Sequence, residues 1–266
     1  MTRRKGFTLI ELLVVIAIIA LLMSILMPAL ARVKKQAQSV ACMSRLRSWG
    51  LIYKLYTDDY VGSFPAGWNV GESTQWFVAM RRYYNNDLEM LLCPTATRVV
   101  LGPGDWGTWK AWTRAMDLPE GGEFNFVGSY GGNSWTDNMT QDRGDRLKPW
   151  FWKTTQNVKS SERVPVIADS TWHDAWPRHT DAPVKSLLDF QWGDQGTTNE
   201  INHFCIDRHQ GWTNFMFMDW SVRHVGLKEI WTLKWHREFN VNGPWTTRGG
   251  VQLADWPQWL AKYKDY

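Results

Sequence analysis

The chain has 266 residues, 44% hydrophobic and 21% charged, with 19 tryptophans and three cysteines. Three of the cations behind its formal charge of +4 are Arg3, Arg4 and Lys5, so +1 remains for everything after them. That balance excludes a strongly basic nucleic-acid surface, and the length suits one anchor with one head of roughly 200 residues, or two smaller heads.

Residues 7–30, FTLIELLVVIAIIALLMSILMPAL, are apolar apart from Glu11. As a helix at ~1.5 Å per residue they span ~36 Å, enough to cross a hydrocarbon core of ~30 Å with some tilt. The preceding cations hold the N-terminus on the cytoplasmic side and direct the rest of the chain outward. A cleavable secretory signal ending at Ala29-Leu30-Ala31 is the alternative, but the run exceeds the ~7–15 apolar residues of such signals and Glu11 interrupts it. Beyond Pro28, the residues Cys42, Leu46, Trp49, Tyr53 and Tyr56 recur at helical spacing, while Arg45, Arg47 and Lys54 fall off the stripe. The helix is therefore predicted to continue, amphipathic, over 31–58, until DDYVGSFPAG ends it with turn formers.

The remainder, 59–266, reads as an α+β head with an antiparallel sheet on which the long N-terminal helix packs. A helix is predicted over 76–84, and Gly121-Gly122 and GSYGGNSW (128–135) read as turns rather than a phosphate loop. Residues 164–169 (VPVIAD) read as a strand, with Pro165 at its start or on an edge. GDQGTTN (193–199) reads as a polar loop. Residues 214–218 and 221–225 form the arms of a hairpin, the first apolar on both faces and hence central. Leu227, Ile230, Trp231, Trp235 and Phe239 sit at helical spacing, and a last short helix is predicted over 256–263. No internal repeat is present.

Lys5-Gly6-Phe7-Thr8-Leu9-Ile10-Glu11, followed by an aliphatic helix, resembles the class III signal of type IV pilins and type II secretion pseudopilins. The resemblance implies a cytoplasmic leader, 1–6, cut by a prepilin peptidase after Gly6, with Phe7 becoming the N-methylated mature start. It implies that Glu11 meets a neighbouring subunit's terminal amine during assembly, and that Pro28 stands where family members carry a helix-kinking proline. It also implies a single-pass protein of the bacterial inner membrane with a periplasmic or extracellular head, polymerising with other pilin-like subunits.

A second resemblance lies in the head. His209, nine intervening residues and Asp219 are similar to the H-x9-D-G signature of a large set of pilin-like proteins, although Trp220 replaces the glycine. Those proteins also carry a cysteine in the outer helix, a Cys-Pro and a Ser-Tyr-Gly, matched here by Cys42, Cys93-Pro94 and Ser129-Tyr130-Gly131. Tryptophan accepts the positive φ of a tight Asp-Gly turn poorly, so a longer or different turn is expected.

The head offers few chemical motifs. Cys42, Cys93 and Cys205 lack metal-ligand spacing; in an oxidising compartment they suggest one disulfide, Cys42–Cys93, and Cys205 as a buried thiol. Closing that loop would contribute ~4 kcal/mol. Across an extended strand His209 and Asp219 are too far apart for one ion. Asp219 is therefore expected to cap a turn and His209 to orient a loop through Asp207 or Asp169. The cation reading places calcium on Asp169, Asp207 and a carbonyl, and His173-Asp174 is a second candidate pair. No cofactor is otherwise expected. The tryptophans read either as core filling or as platforms for a polysaccharide, the latter implying a membrane- or filament-displayed binding head. No GxSxG, HExxH or Cys-His nucleophile arrangement points to an enzyme.

Overall fold

The computed structural model describes residues 9–71, 74–96, 98–99, 107–185 and 199–266. The expected cleavage pair Gly6-Phe7 and most of the polar loop 193–199 lie outside the described residues.

Helix α1 (Leu9–Asp59) is continuous and carries Pro28 inside it. Pro28 has no N–H to give to the preceding turn, yet the helix runs on through it. The apolar window of α1 is exposed, and this is the one helix among the described residues long and apolar enough to cross a membrane. Its buried residues include the predicted stripe, Cys42, Leu46, Trp49, Tyr53 and Tyr56, together with Ile52, which the stripe omits. Residues 31–37 of the outer half remain exposed. Beyond Asp59 the chain reverses through Val61 and Gly62, both at positive φ, and the Gly62 N–H returns to the Thr57 carbonyl at 2.6 Å.

The stripe packs on a five-stranded mixed sheet. Its strands are β4 (Tyr130–Asn133), β5 (Pro165–Asp169), β6 (Asp174–Ala175), β7 (Trp212–Phe217) and β8 (Val222–Gly226), in the order β6-β4-β5-β7-β8. All pairs are antiparallel except β4 with β6. Helix α1 lies across β7 and β8. A smaller sheet joins β1 (Arg98–Val99), β2 (Lys110–Asp117) and β3 (Glu123–Gly128). Gly121 and Gly122, both at positive φ, close the β2–β3 hairpin as the turn reading required. The α+β layout is therefore the predicted one.

Four local expectations are corrected. GSYGGNSW is not all turn, because its centre forms β4, buried along its whole length. Glycine is needed there for close approach: a Cβ on Gly131 would lie 2.4 Å from the Trp172 carbonyl oxygen, and one on Gly132 would lie 2.7 Å from the Trp76 ring. Gly131→Ala is accordingly expected to cost ~1–3 kcal/mol by overpacking, a fall of several degrees in melting temperature measurable by circular dichroism. The helix predicted over 76–84 divides into α2 (Trp76–Ala79) and a 3-10 turn, Arg81–Tyr83. The stretch 227–239 buries every predicted residue, but only Glu229–Thr232 winds, as a 3-10 turn. Its later backbone donors leave for other segments, Lys234 N–H to the Arg163 carbonyl and Arg237 N–H to the Trp150 carbonyl, so no α-helix can form. The final helix, α3, is confined to Gln258–Ala261.

Pro165 begins β5, as predicted, although the strand is internal; a register shift between Pro165 and Ile167 absorbs the missing donor. The β7–β8 hairpin has a three-residue loop, 218–220, with Phe217 N–H bonded to the Ser221 carbonyl. Trp220 occupies the left-handed position at φ 67°, and its ring stacks on Tyr53 of α1 at 6.1 Å. That contact offsets the backbone cost which glycine would have avoided.

Candidate functional site

Where α1 meets the sheet, four elements bring Cys42, Cys93, Asp169 and His209 together, and all four are buried. Cys42 comes from the stripe of α1, and Cys93 follows a 3-10 turn over Leu88–Leu91. Asp169 ends β5, and His209 precedes β7. One ligand atom from each lies within 4.8 Å of all the others.

The contacts are specific. Cys42 Sγ lies 3.5 Å from both Asp169 carboxylate oxygens. Cys93 Sγ lies 3.6 Å from His209 Nε2, which is itself 3.0 Å from Asp169 Oδ2. Around them, Tyr130 Oη donates to Cys42 Sγ at 3.3 Å, Cys93 N–H donates to Ser129 Oγ at 2.6 Å, and Asn214 N–H donates to Asp169 Oδ2 at 3.1 Å. Thr95 Oγ1 is 3.0 Å from Cys93 Sγ. The Arg208 guanidinium is buried beside Asp169, with Nη1 3.6 Å from Oδ1, and donates to the carbonyls of Thr108, Lys110, Ser129 and Ser170.

Electrostatics follow from this packing. Burial raises a carboxyl group, but the charge and hydrogen bond of His209, joined by Arg208, bring Asp169 down to about 2. Burial lowers an imidazole, but Asp169 lifts His209 to about 10. Burial raises a thiol, but hydrogen bonds with Cys42 and His209 and the charge of Arg208 bring Cys93 to about 6. The cluster thus favours an anionic carboxylate and an anionic Cys93 sulfur, while burial pushes the Cys42 thiol well up.

The structure sorts the sequence candidates. The outer-helix cysteine, the Cys-Pro, the Ser-Tyr-Gly and the histidine of the head resemblance all converge here. Asp219 does not: it lies beyond the other end of β7, where its carboxylate accepts from Ser221 N–H at 3.0 Å and caps the turn. His209 pairs with Asp169 rather than Asp207, whose carboxylate accepts from Gly211 N–H and Tyr263 Oη. Asp207 is therefore not among the four converging residues. The second pair, His173-Asp174, is buried with Nδ1 3.0 Å from Oδ1; Asp174 also accepts from Trp68 Nε1 and Ser134 Oγ. All three cysteines are free thiols, so the expected Cys42–Cys93 bond is not formed in the structure. Cys205 is buried, with Sγ 3.7 Å from the Leu227 carbonyl oxygen, and burial pushes its thiol up. Arg208 escaped the sequence reading; its adjacency to His209 was the one available signal.

Among the described tryptophans only Trp109, 51% exposed, and Trp212, 42% exposed, stand well out of the surface. Most of the others fill the core or pin loops through their indole N–H groups, as Trp231 does on the Asp181 carbonyl. Trp106, in one of the tryptophan-rich stretches, and Trp192 lie outside the described residues.

Glu11 sits at the opposite end of the molecule, in the first described turn of α1, on its exposed apolar half. Residues 1–27 match the family model described as the prokaryotic N-terminal methylation motif. No curated protein and no solved structure matches the chain. The chain thus carries a prepilin-type processing motif joined to a long apolar helix.

Proposed function

We propose that this protein is a structural subunit of a type IV pilus-like filament or a type II secretion pseudopilus, processed by a prepilin peptidase and polymerised through α1. The observation that carries this reading is the match over residues 1–27, which runs directly into a helix exposed along its apolar half and packed on a head along the other. A helix of that kind is satisfied either by lipid or by the same helices of neighbouring subunits. In this reading the N-terminus is cytoplasmic, α1 crosses the inner membrane, and the head is periplasmic or displayed on a filament. The work is assembly rather than catalysis, and its partners are the peptidase and other pilin-like subunits. Burial of most described tryptophans favours this over a polysaccharide-binding head.

Processing gives the direct test. Gly6→Leu is expected to leave an uncut precursor in the membrane, whereas the parent chain should begin at a methylated Phe7, both read by intact mass. A parent chain retaining residues 1–6 in cells with an active prepilin peptidase would overturn the reading.

A further inference from the structure

Cys42, Cys93, Asp169 and His209 are far apart in sequence, yet they present two sulfurs, one imidazole nitrogen and one carboxylate oxygen to a common point. We propose that these four side chains bind a divalent transition-metal ion of the zinc class as a closed structural site that fastens α1 to the head.

The distances approach those around that ion. Bonds of ~2.3 Å to sulfur and ~2.0–2.2 Å to nitrogen and oxygen, at tetrahedral angles, place neighbouring ligand atoms about 3.3–3.8 Å apart. The sulfur–nitrogen distance here is 3.6 Å, the sulfur–oxygen distances are 3.5 Å, and the nitrogen–oxygen distance is 3.0 Å. Small movements within the cluster suffice to centre an ion. The donor set matches too, since mixed thiolate and imidazole ligands suit zinc, while an all-oxygen set would suit calcium.

Charge supports the same ion. Two thiolates, one carboxylate and a divalent cation sum to minus one, and the permanently protonated Arg208, buried against Asp169, brings the total to zero. A buried group of charges persists only when it is compensated in this way. The surrounding bonds also serve ligands: Tyr130 Oη on the Cys42 sulfur, Asn214 N–H on the Asp169 carboxylate, and Ser129 Oγ holding the Cys93 backbone. Such outer partners orient ligands and tune affinity. Four protein ligands in a buried position leave no open coordination site, which makes the role structural. A disulfide would engage the two sulfurs alone and give Asp169 and His209 no part.

The full-length chain, solubilised in detergent from cells grown with zinc, provides the experiment. Metal analysis should find about one zinc per chain. Cys42→Ser combined with Cys93→Ser should lower occupancy at least tenfold, and Cys205→Ser should leave it unchanged. Because the double variant could unfold, the parent chain supplies an independent readout. Stripped with chelator under reducing conditions and given cobalt chloride, it should show the thiolate charge-transfer and intense visible bands of tetrahedral cobalt, and His209→Ala should shift them. Metal retained by the double variant would identify an adventitious ion and overturn the proposal. So would reduced parent chain showing no such bands, or metal-free parent chain isolated with Cys42 and Cys93 joined in non-reducing peptide maps.

Discussion

Glu11→Val subunits are expected to enter the membrane, lose the leader after Gly6, and then fail to join filaments. A carboxylate near the bilayer centre costs ~2.5–3.5 kcal/mol on insertion scales, and less near the interface. Glu11 lies in the first described turn of α1, four positions after Phe7, the start expected after processing. The positive end of its own helix relieves part of that cost. In the proposed filament the amine of an adjacent subunit, staggered along the fibre axis, relieves more, so the assembled state would gain what the lone subunit lacks. Valine removes both cost and gain, which makes insertion easier and association weaker. If the pair contributes ~2–3 kcal/mol, assembly falls roughly 30- to 150-fold. Sheared-filament yield against membrane-bound subunit, measured on the same cells, reads the ratio. Equal yields from parent and variant would remove Glu11 from the assembly contact.

The largest loss of head stability is expected from Arg208→Met. Methionine fills much of the same space but donates nothing. The carbonyls of Thr108, Lys110, Ser129 and Ser170 would each lose a donor, and Asp169 would lose its neighbouring cation. Breaking a buried ion pair by removing one partner costs ~3–5 kcal/mol. At ~2–4 °C per kcal/mol for a domain of this size, melting should fall by roughly 6–20 °C. Arg208→Lys keeps the charge but not the planar fork, and should recover only part of the loss. Near-ultraviolet circular dichroism of the detergent-solubilised chain would follow both, and a shift below about 2 °C for Arg208→Met would show that these bonds contribute little.

How much of this was legible in the sequence depends on the range of the interaction. The stripe from Cys42 to Tyr56 could be read because helical periodicity is local, and so could the β7–β8 hairpin. The Trp220 departure indicated a longer or different turn, and the loop is longer, although Trp220 itself takes the positive φ it was expected to avoid. The stretch 227–239 misled because its apolar spacing reports burial, while the destinations of its backbone donors decide conformation. The buried cluster was illegible as a unit. Cys42 and Asp169 are separated by 127 positions, and Cys93 and His209 by 116. No spacing rule reaches across such distances, so the cysteines appeared to lack metal-ligand spacing and Asp169 was grouped with Asp207. The motifs marked Cys42, Cys93 and His209 without saying that they meet, included Asp219, which stands apart, and left out Asp169.

If the head is exported as proposed, the packing of α1 on β7 also sets an order of events. The helix enters the membrane first, and its sheet partners follow much later: Asn214 Nδ2 bonds the Ser39 carbonyl across 175 positions. Until β7 and the loop after it arrive, α1 lacks Met216 and Trp220 against Gly50, and the Tyr53 ring lacks the Trp220 ring. Contacts this distant in sequence form slowly, because chain closure must precede the reward. In that reading a nascent head would pass through translocation with this face of α1 uncovered. Translocation arrested before residue 212 should give a protease-sensitive intermediate, and arrest beyond residue 226 a resistant one.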